Sequence, residues 1–374
     1  MTVRTPFNNF PESAATMERK QPETDPTRTT RVSIHDVAFG GEGVGRVDGK
    51  TVFIPFTVDG EEVDATIVER RKRFDRGRLN AVIVPSADRT NPVCEYFGHC
   101  GGCDYQHIAY HHQLELKRRQ VQQLLERIGK LSHVEVHPTV PCPSPYGFRN
   151  RITVHSEGGR IGFFEKNSRE VVDVQRCAIA LPSVNEALEK LRATGLAAGR
   201  HQTLRAPAVP RTFSQTNEMI GPALFEYVAR KTTGEVMLDA YCGSGFFAHP
   251  LARKMRSVIG VDWNEPAIDA ARIIALPNEA YVCDDVGAVI DSLIAEHRPH
   301  TIILDPSADG IDKRVVRALR DDPPARLIYV SCNPAALARD LAALKEVYQI
   351  GAVQPFDMFP QTAQIETVAV LDRS

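Results

Sequence analysis

The chain has 374 residues, more than one ordinary hydrophobic core accommodates, and this length predicts two or three domains. A hydrophobic content of 43% and a charged content of 25% are typical of globular proteins, and no apolar run approaches the roughly 20 residues that span a bilayer. We therefore expect a cytoplasmic protein without membrane contact. The net charge of -2 does not by itself predict a polyanionic partner, so the distribution of charge matters more than its sum.

Residues 1–29 are rich in Thr, Pro and charged residues and lack an apolar stretch, which predicts a disordered tail. Five short strands are predicted next, over Arg31–Ile34, Gly45–Val47, Thr51–Pro55, Glu62–Glu69 and Asn80–Val84. Asp48-Gly49 favours a two-residue hairpin because both residues tolerate positive φ. The pattern predicts a small OB-like β-barrel over residues 30–86, a common nucleic-acid platform.

A basic run lies near the end of this predicted barrel. Between Glu69 and Arg78 there are six positive and two negative residues, with Phe74 among them. Such a run suits a groove that follows a phosphate backbone and stacks a base. A solvated strand edge explains the same residues equally well.

A central α+β region is predicted over residues 87–205. It contains a cysteine-bearing loop and a helix from about Tyr110 to Ile128. The predicted apolar face of that helix is Leu114, Val121, Leu124, Leu125 and Ile128, whereas Lys117, Arg118, Arg119 and Arg127 are expected to extend toward solvent. An antiparallel hairpin, Arg149–Ser156 with Arg160–Glu165, and a strand over Glu170–Val174 follow.

After Pro210 strands alternate with helices, which predicts an open, largely parallel Rossmann-like sheet in a catalytic domain over residues 206–374. The predicted strands are Val236–Tyr241, Ser257–Val261, Ala280–Cys283, Thr301–Asp305, Leu327–Ser331 and Thr367–Leu371. In such sheets ligands bind at the carboxyl ends of the strands.

A glycine loop follows the first of these strands. Gly243 and Gly245 allow the backbone to approach a nucleotide closely, and Asp262, at the end of the next strand, is placed to accept hydrogen bonds from ribose hydroxyls. Together with Ala248 the two glycines also match the dinucleotide pattern of nicotinamide-dependent oxidoreductases. The loop alone does not choose between these classes.

Three cysteines, Cys94, Cys100 and Cys103, lie within ten residues, and Cys177 is available as a fourth thiol. Three clustered thiols with a distant fourth are common for 4Fe-4S clusters. A four-thiolate zinc site is the main alternative, although zinc sites usually use two C-x2-C pairs.

Cys332 follows an apolar strand and precedes a helix that begins near Pro334. The field of that helix N-terminus is expected to favour the nucleophilic thiolate. A thiolate could add to carbon 6 of a uracil and activate carbon 5 for methylation, after which a base must remove the carbon 5 proton. Glu366 is a candidate base, and a surface carboxylate is the alternative interpretation.

From about Arg31 to Asp372 the sequence resembles the RNA uridine-5-methyltransferase family, in its branch with an N-terminal TRAM domain and an iron-sulfur cluster. The resemblance lies in six ordered motifs: Cys94-x5-Cys100-Gly-Gly-Cys103 with Gln106-His107, Tyr146-Gly-Phe-Arg149-Asn150, Phe213-Ser-Gln215-Thr-Asn217, Asp239-Ala-Tyr-Cys-Gly, Tyr329-Val-Ser-Cys332-Asn-Pro and Asp357-Met-Phe-Pro.

The resemblance implies a role for each matched residue. Cys332 would be the nucleophile, Glu366 the base, and Phe213 the ring that stacks on a flipped-out uracil. The S-adenosylmethionine pocket would be formed by Gln215, Tyr241, Gly243, Asp262, Asp284 and Asp305. The implied 4Fe-4S ligands are Cys94, Cys100, Cys103 and Cys177.

Three positions depart from the family pattern. Phe246 stands where Asn or a small polar residue is usual, Ser307 follows Asp305-Pro306 where a second Pro and an Arg are usual, and Gln364 stands where His is usual. These departures leave open a catalytically impaired RNA-binding protein that senses redox state through its cluster. The branch implies that RNA is the substrate, with large-subunit (23S) ribosomal RNA favoured and transfer RNA as the alternative. We also expect a monomer.

Overall fold

The computed structural model describes residues 29–207 and 215–374. The predicted tail therefore lies, except for Thr29, outside the described residues, and so does Phe213. Within the described part of the chain, no helix is both long enough and apolar enough to cross a bilayer.

The first described unit is a closed five-stranded barrel. Its strands are β1 (Thr29–Val37), β2 (Glu42–Val47), β3 (Lys50–Pro55), β4 (Glu62–Arg70) and β5 (Phe74–Val84), in the order β1-β2-β3-β5-β4. Pairing of β4 with β1 closes the barrel. Alternate side chains, including Val32, Ile34 and Val52, fill its interior, as the period of two requires. The predicted barrel is confirmed, although β5 begins at Phe74, six residues earlier than expected.

The predicted central helix is α1 (Tyr110–Leu124), which continues as a π-helical turn over Leu125–Gly129. The expectation that Lys117 extends toward solvent was wrong, because its side chain is fully buried beside Asp357. Ile128, assigned to the apolar face, is 44% exposed. The π-helical turn closes i→i+5 hydrogen bonds in place of i→i+4, so Ile128 no longer follows the α-helical repeat from which its face was assigned.

The central unit contains a four-stranded antiparallel sheet in the order β8-β7-β6-β9. The strands are β6 (Arg151–Glu157), β7 (Arg160–Phe164), β8 (Val171–Asp173) and β9 (His201–Arg205), and helix α2 (Pro182–Thr194) packs on one face. The predicted hairpin is present, with Glu157 paired to Arg160. Strand β9 was not predicted, since its residues are too polar for the alternation to be visible.

The last unit is a seven-stranded sheet in the order β12-β11-β10-β13-β14-β16-β15. Its strands are β10 (Val236–Ala240), β11 (Ser257–Asp262), β12 (Glu279–Cys283), β13 (Thr301–Leu304), β14 (Arg326–Ser331), β15 (Tyr348–Phe356) and β16 (Glu366–Arg373). The helices are α3 (Gly221–Lys231), α4 (Ala248–Ala252), α5 (Glu265–Ile274), α6 (Val286–His297), α7 (Lys313–Asp321) and α8 (Pro334–Leu344). β10 to β14 are parallel, whereas β16 runs antiparallel to both β14 and β15.

The segment between β15 and β16 interlocks with the central unit. The main-chain N–H groups of Asp104 and Tyr105 donate to the carbonyl of Gln361 at 2.9 and 3.0 Å. The side-chain amide of Gln113 donates to Gln361 Oε1 at 3.0 Å. Asp104 directly follows Cys103 in the cysteine-bearing loop. The hydrogen bonds to Gln361 therefore join this loop to the segment that leads to Glu366.

Candidate active site

A cavity of ≈ 540 Å³ lies at the carboxyl ends of the parallel strands in the last sheet. Strands β10, β11, β13 and β14 all direct their ends to it, as expected for a doubly wound sheet. Side chains from the loops after these strands form the wall, including Tyr241, Asp262, Asp305 and Cys332.

The glycine loop after β10 forms one side of the cavity. Tyr241, Gly243 and Gly245 have φ values of 66°, 52° and 85°, so three residues in five adopt the left-handed conformation. The N–H of Gly243 donates to Asp262 Oδ2 at 2.9 Å, which fixes the loop against the end of β11. At Gly245 an added Cβ would lie 2.8 Å from the Tyr281 hydroxyl, and the φ of 85° also disfavours a residue with a side chain.

Carboxyl groups are concentrated beneath this loop. Asp239 is fully buried and accepts a hydrogen bond from the N–H of Ala248 at 2.9 Å. Burial, together with Asp305 and Asp262 nearby, raises the pKa of Asp239 well above its ordinary value. Burial and the charge of Asp262 raise the pKa of Asp305 to about 7. The carboxyl groups thus raise one another's pKa, and a cationic ligand bound in the cavity would favour their ionised forms.

Cys332 lies between β14 and α8, where the Asn333 side chain caps the helix by accepting from the N–H groups of Ala335 and Ala336. Burial, followed by the charges of Glu366 and Asp305, raises the pKa of the Cys332 thiol to about 11. The expectation that the helix N-terminus makes Cys332 a thiolate was therefore wrong for the protein by itself. Desolvation and two nearby carboxyl groups oppose the helix field.

Glu366 is the first residue of β16 and lines the same cavity as Cys332. Its side chain is buried, with 6% of the residue exposed. Burial and the neighbouring Asp305 raise the pKa of Glu366 well above its ordinary value. The alternative of a surface carboxylate does not describe this residue.

A second, smaller cavity of ≈ 210 Å³ lies in the central unit and is lined by Cys94, Cys100, Cys103 and Cys177. Burial, and to a smaller extent the charges of the neighbouring cysteines, raises the pKa of Cys100 to about 11 and that of Cys103 further. Burial also raises the pKa of Cys177, and thiols that disfavour ionisation together are stabilised as thiolates by a positively charged group among them.

In the part of the chain that the structure describes, no group of three or more His, Cys, Asp or Glu side chains converges tightly enough to hold a single metal ion. A zinc site needs four sulfurs about 2.3 Å from one point. The four cysteines are instead spread around one cavity.

Comparison with known proteins agrees with this arrangement. A family model described as tRNA (Uracil-5-)-methyltransferase matches residues 288–374, and a TRAM domain model matches residues 25–79. An uncharacterized RNA methyltransferase of Halalkalibacterium halodurans is 30% identical, with 95% of this chain and 99% of that protein covered. The chain belongs to the RNA (uracil-5-)-methyltransferase family.

Other members of this family extend the comparison. An uncharacterized RNA methyltransferase of Clostridium acetobutylicum is 30% identical over 91% of this chain and 96% of that protein. The crystal structure of Pyrococcus abyssi tRNA (uracil-54, C5)-methyltransferase in complex with S-adenosyl-L-homocysteine is similar, with a TM-score of 0.73 and 26% identity. It covers 91% of this chain and 100% of that one. The barrel is thus a TRAM domain, and the last unit has the methyltransferase fold.

Most residues assigned to the methyltransferase site from the sequence lie around one cavity. Its lining includes Gln215, Tyr241, Gly243, Asp262, Asp305, Cys332 and Glu366. Asp284 is exposed and lies outside the lining, where its neighbour Asp285 is found instead. Phe213 lies outside the described residues.

Sequence reasoning missed several residues of this methyltransferase cavity. Arg151 reaches it from the central sheet, and Trp263, Asp285 and Phe359 complete the wall. The position of Trp263 directly after Asp262 was a signal that could have been used. No such signal existed for Arg151, because its contact with the cavity joins the central unit to residues far away in sequence. Of the three departures, Phe246 and Ser307 line the cavity, whereas Gln364 is exposed.

Proposed function

We propose that this protein transfers a methyl group from S-adenosylmethionine to carbon 5 of a uridine in RNA, with Cys332 as nucleophile and Glu366 as base. The observation that carries the proposal is that Cys332 and Glu366 line one cavity with the glycine loop and Asp262. A thiol and a buried carboxyl group beside a nucleotide-type loop suit this chemistry better than hydride transfer. The nicotinamide alternative gives Cys332 no role.

Polar groups of the protein would hold the methyl donor, S-adenosylmethionine. Asp262 would accept hydrogen bonds from the ribose hydroxyls of S-adenosylmethionine, and the positive-φ turn at Tyr241 and Gly243 would let the backbone approach it closely. Gln215 and Asp305 would complete the pocket, where a cationic sulfonium would favour the ionised form of Asp305. When bound, S-adenosylmethionine supplies an electrophilic methyl group.

The reaction proceeds through the two residues in sequence. Cys332 loses its proton to solvent and adds to carbon 6 of the uracil, which places negative charge on carbon 5. Carbon 5 forms a bond to the methyl group, and S-adenosylhomocysteine leaves. Glu366 as carboxylate then takes the carbon 5 proton, the ring double bond reforms, and the thiolate of Cys332 is expelled.

Each proposed domain has its own role in the reaction on RNA. Residues 30–86 are the RNA-binding TRAM domain, residues 87–205 the cluster-binding domain, and residues 206–374 the catalytic domain. Phe213 stacks on the uracil after it leaves its base stack. The TRAM-plus-cluster resemblance supports large-subunit ribosomal RNA as substrate, and the name of the Pyrococcus abyssi relative supports transfer RNA as the alternative.

Labelled S-adenosylmethionine and RNA from a strain that lacks the gene test the reaction. We expect label in 5-methyluridine, loss of label in Cys332→Ala, and retention in Cys283→Ala, which removes a thiol outside the cavity lining. In Glu366→Gln we expect a covalent protein–RNA adduct to accumulate. RNA binding without any methyl transfer would instead support the redox-sensing alternative, and undiminished label in Cys332→Ala would refute the mechanism.

We further propose that Cys94, Cys100, Cys103 and Cys177 hold a 4Fe-4S cluster. Support comes from the four thiols around one cavity, whose apolar wall also shields the site. Preparation without oxygen is expected to give a brown protein, and Cys177→Ser is expected to bleach it. Stoichiometric zinc in a colourless preparation would contradict the assignment.

A further inference from the structure

The central sheet has one covered and one uncovered face. Ile152, Val154 and Leu204 pack against α2 on the covered side. Because successive side chains alternate across a strand, their neighbours project from the opposite side. We call this the outer sheet face; it is formed by Arg151, Thr153, His155, Phe164, His201, Thr203 and Arg205.

Three rows of paired side chains cross the outer sheet face. The register pairs Arg151 with Arg205, Thr153 with Thr203, and His155 with His201. The two threonine hydroxyls lie 2.9 Å apart. The outer sheet face therefore carries guanidinium groups at one end, hydroxyl groups in the middle and aromatic rings at the other end.

The guanidinium end is continuous with the active-site cavity. Arg151 lines that cavity, and its side chain donates to Thr216 Oγ1 at 3.2 Å. Burial and the neighbouring Arg205 and Arg149 lower the pKa of Arg151, which shows that three cationic groups lie close together. A ligand that leaves the cavity toward the central sheet meets this cluster first.

Arg205 belongs to this cluster of cationic groups. Among the residues that the structure describes, the Nε of Arg205 has no hydrogen-bond partner although it is buried. A buried donor without a partner is costly. A phosphate oxygen would satisfy it and would offset the repulsion from Arg149 and Arg151.

The aromatic end is partly exposed to solvent. Phe164 stacks on His155 with ring centroids 4.0 Å apart, and His201 lies 5.9 Å from His155. Phe164 remains 38% exposed. Exposed rings beside a basic groove are the arrangement with which proteins stack successive bases of single-stranded nucleic acid.

We propose that the outer sheet face binds the single-stranded RNA that flanks the target uridine, with Arg205 on a phosphate and Phe164 stacked on a base. The inference rests on the proposed function for the identity of the nucleic acid. It accounts for both the unpaired Nε of Arg205 and the exposed rings. A double helix would not serve, because its bases are already stacked and inaccessible to Phe164.

Binding of a fluorescein-labelled RNA hairpin with single-stranded flanks to the full-length protein tests this proposal. In Phe164→Leu, which keeps an apolar side chain but removes the ring, we expect binding to weaken by about tenfold. In Arg205→Gln we expect the slope of log affinity against log salt to fall by about 0.7, the value for one contact to single-stranded RNA. Arg205→Lys should restore the slope.

Lys190→Gln is the matched control, since it removes an exposed charge from α2 on the opposite side of the same sheet. Its affinity and salt slope should equal those of the unaltered protein, and all variants should unfold at similar temperatures. Blunt duplex RNA of equal length should bind Phe164→Leu and the unaltered protein equally. Unchanged hairpin binding in Phe164→Leu and Arg205→Gln, or equal losses with the duplex, would overturn the proposal.

The same measurements in a Cys332→Ala background separate this inference from the proposed function, because they need no methyl transfer. Loss of binding in Phe164→Leu without any activity of the unaltered protein would support the surface and refute the reaction. Normal methylation together with normal RNA binding in Phe164→Leu and Arg205→Gln would support the reaction and refute the surface.

Discussion

Lys117 and Asp357 form a fully buried ion pair, with Lys117 Nζ 2.5 Å from Asp357 Oδ1. Lys117 also donates to the carbonyl of Phe359 at 3.0 Å, and the Tyr110 hydroxyl donates to Asp357 Oδ2 at 2.8 Å. The pair thus ties helix α1 to the segment that carries Phe359 into the active-site cavity and continues to Glu366.

Replacing Lys117 with Met tests how much this ion pair contributes to the free energy of unfolding. The change leaves the Asp357 carboxylate buried without its cation, so we expect a loss of about 3–5 kcal/mol in the free energy of unfolding. Denaturant titration measures the loss. The double variant Lys117→Met, Asp357→Leu should recover part of it, because no buried charge is then left alone.

Arg118→Met is the matched control, because Arg118 lies on the same helix and pairs only with the exposed Glu115. Exposed pairs contribute about 0–1 kcal/mol, so its stability should change little. Equal stability of Lys117→Met and Arg118→Met would show that the buried pair does not hold the two units together.

Trp263 provides an intrinsic signal for ligand binding. It is the only tryptophan in the sequence, lines the cavity directly after Asp262, and is 73% exposed. We expect S-adenosylhomocysteine to change its fluorescence, because a nucleoside bound at Asp262 would cover the indole ring. The signal should vanish in Trp263→Phe. Calorimetric binding without a change in emission would contradict this placement.

The rate of methyl transfer should rise with pH. The pKa of Cys332 is raised to about 11 and that of Glu366 is also raised, and both groups must be deprotonated to act. With thiolate formation limiting, we expect the rate to increase by about tenfold per pH unit near neutrality. Single-turnover kinetics at saturating donor and RNA measure this slope. A rate that is flat from neutral to alkaline pH would mean that the bound ligands already ionise Cys332.

Asp305 should make the protein less stable as pH rises. Its folded-state pKa of about 7 lies above the ordinary 3.8, so the folded state binds more protons within this interval. The stabilisation is therefore complete below 3.8 and is lost as pH rises through about 7.

Asp305→Asn does not titrate and should be more stable than the unaltered protein by a few kcal/mol at about pH 8, with the gain fading toward about pH 4. Thermal unfolding across this range measures the difference. Asp284→Asn changes an exposed carboxylate near the same strand ends and should show no such trend. A gain in stability for Asp305→Asn that increases as pH falls would mean that folding lowers the pKa of Asp305 and does not raise it.

Local patterns in the sequence were sufficient for the elements with strong periodicity. Alternation in the barrel and the strand–helix rhythm after Pro210 reflect burial on one or both faces, so the residues themselves record it. The glycine loop, Asp262 and Cys332 were found because each follows directly from a strand end. Strand β15 was missed, because its pairing partner β16 lies beyond the turn at Gln361 and β15 itself has no regular alternation.

The amino-acid sequence by itself determined the family, the order of the units and the chemical types gathered at the strand ends. Only the tertiary structure decided the ionisation of Cys332, the burial of Lys117 and the approach of Arg151 to the cavity. These properties depend on desolvation and on charges contributed by residues distant in sequence. A local pattern contains no information about which distant group will exclude water from a given side chain.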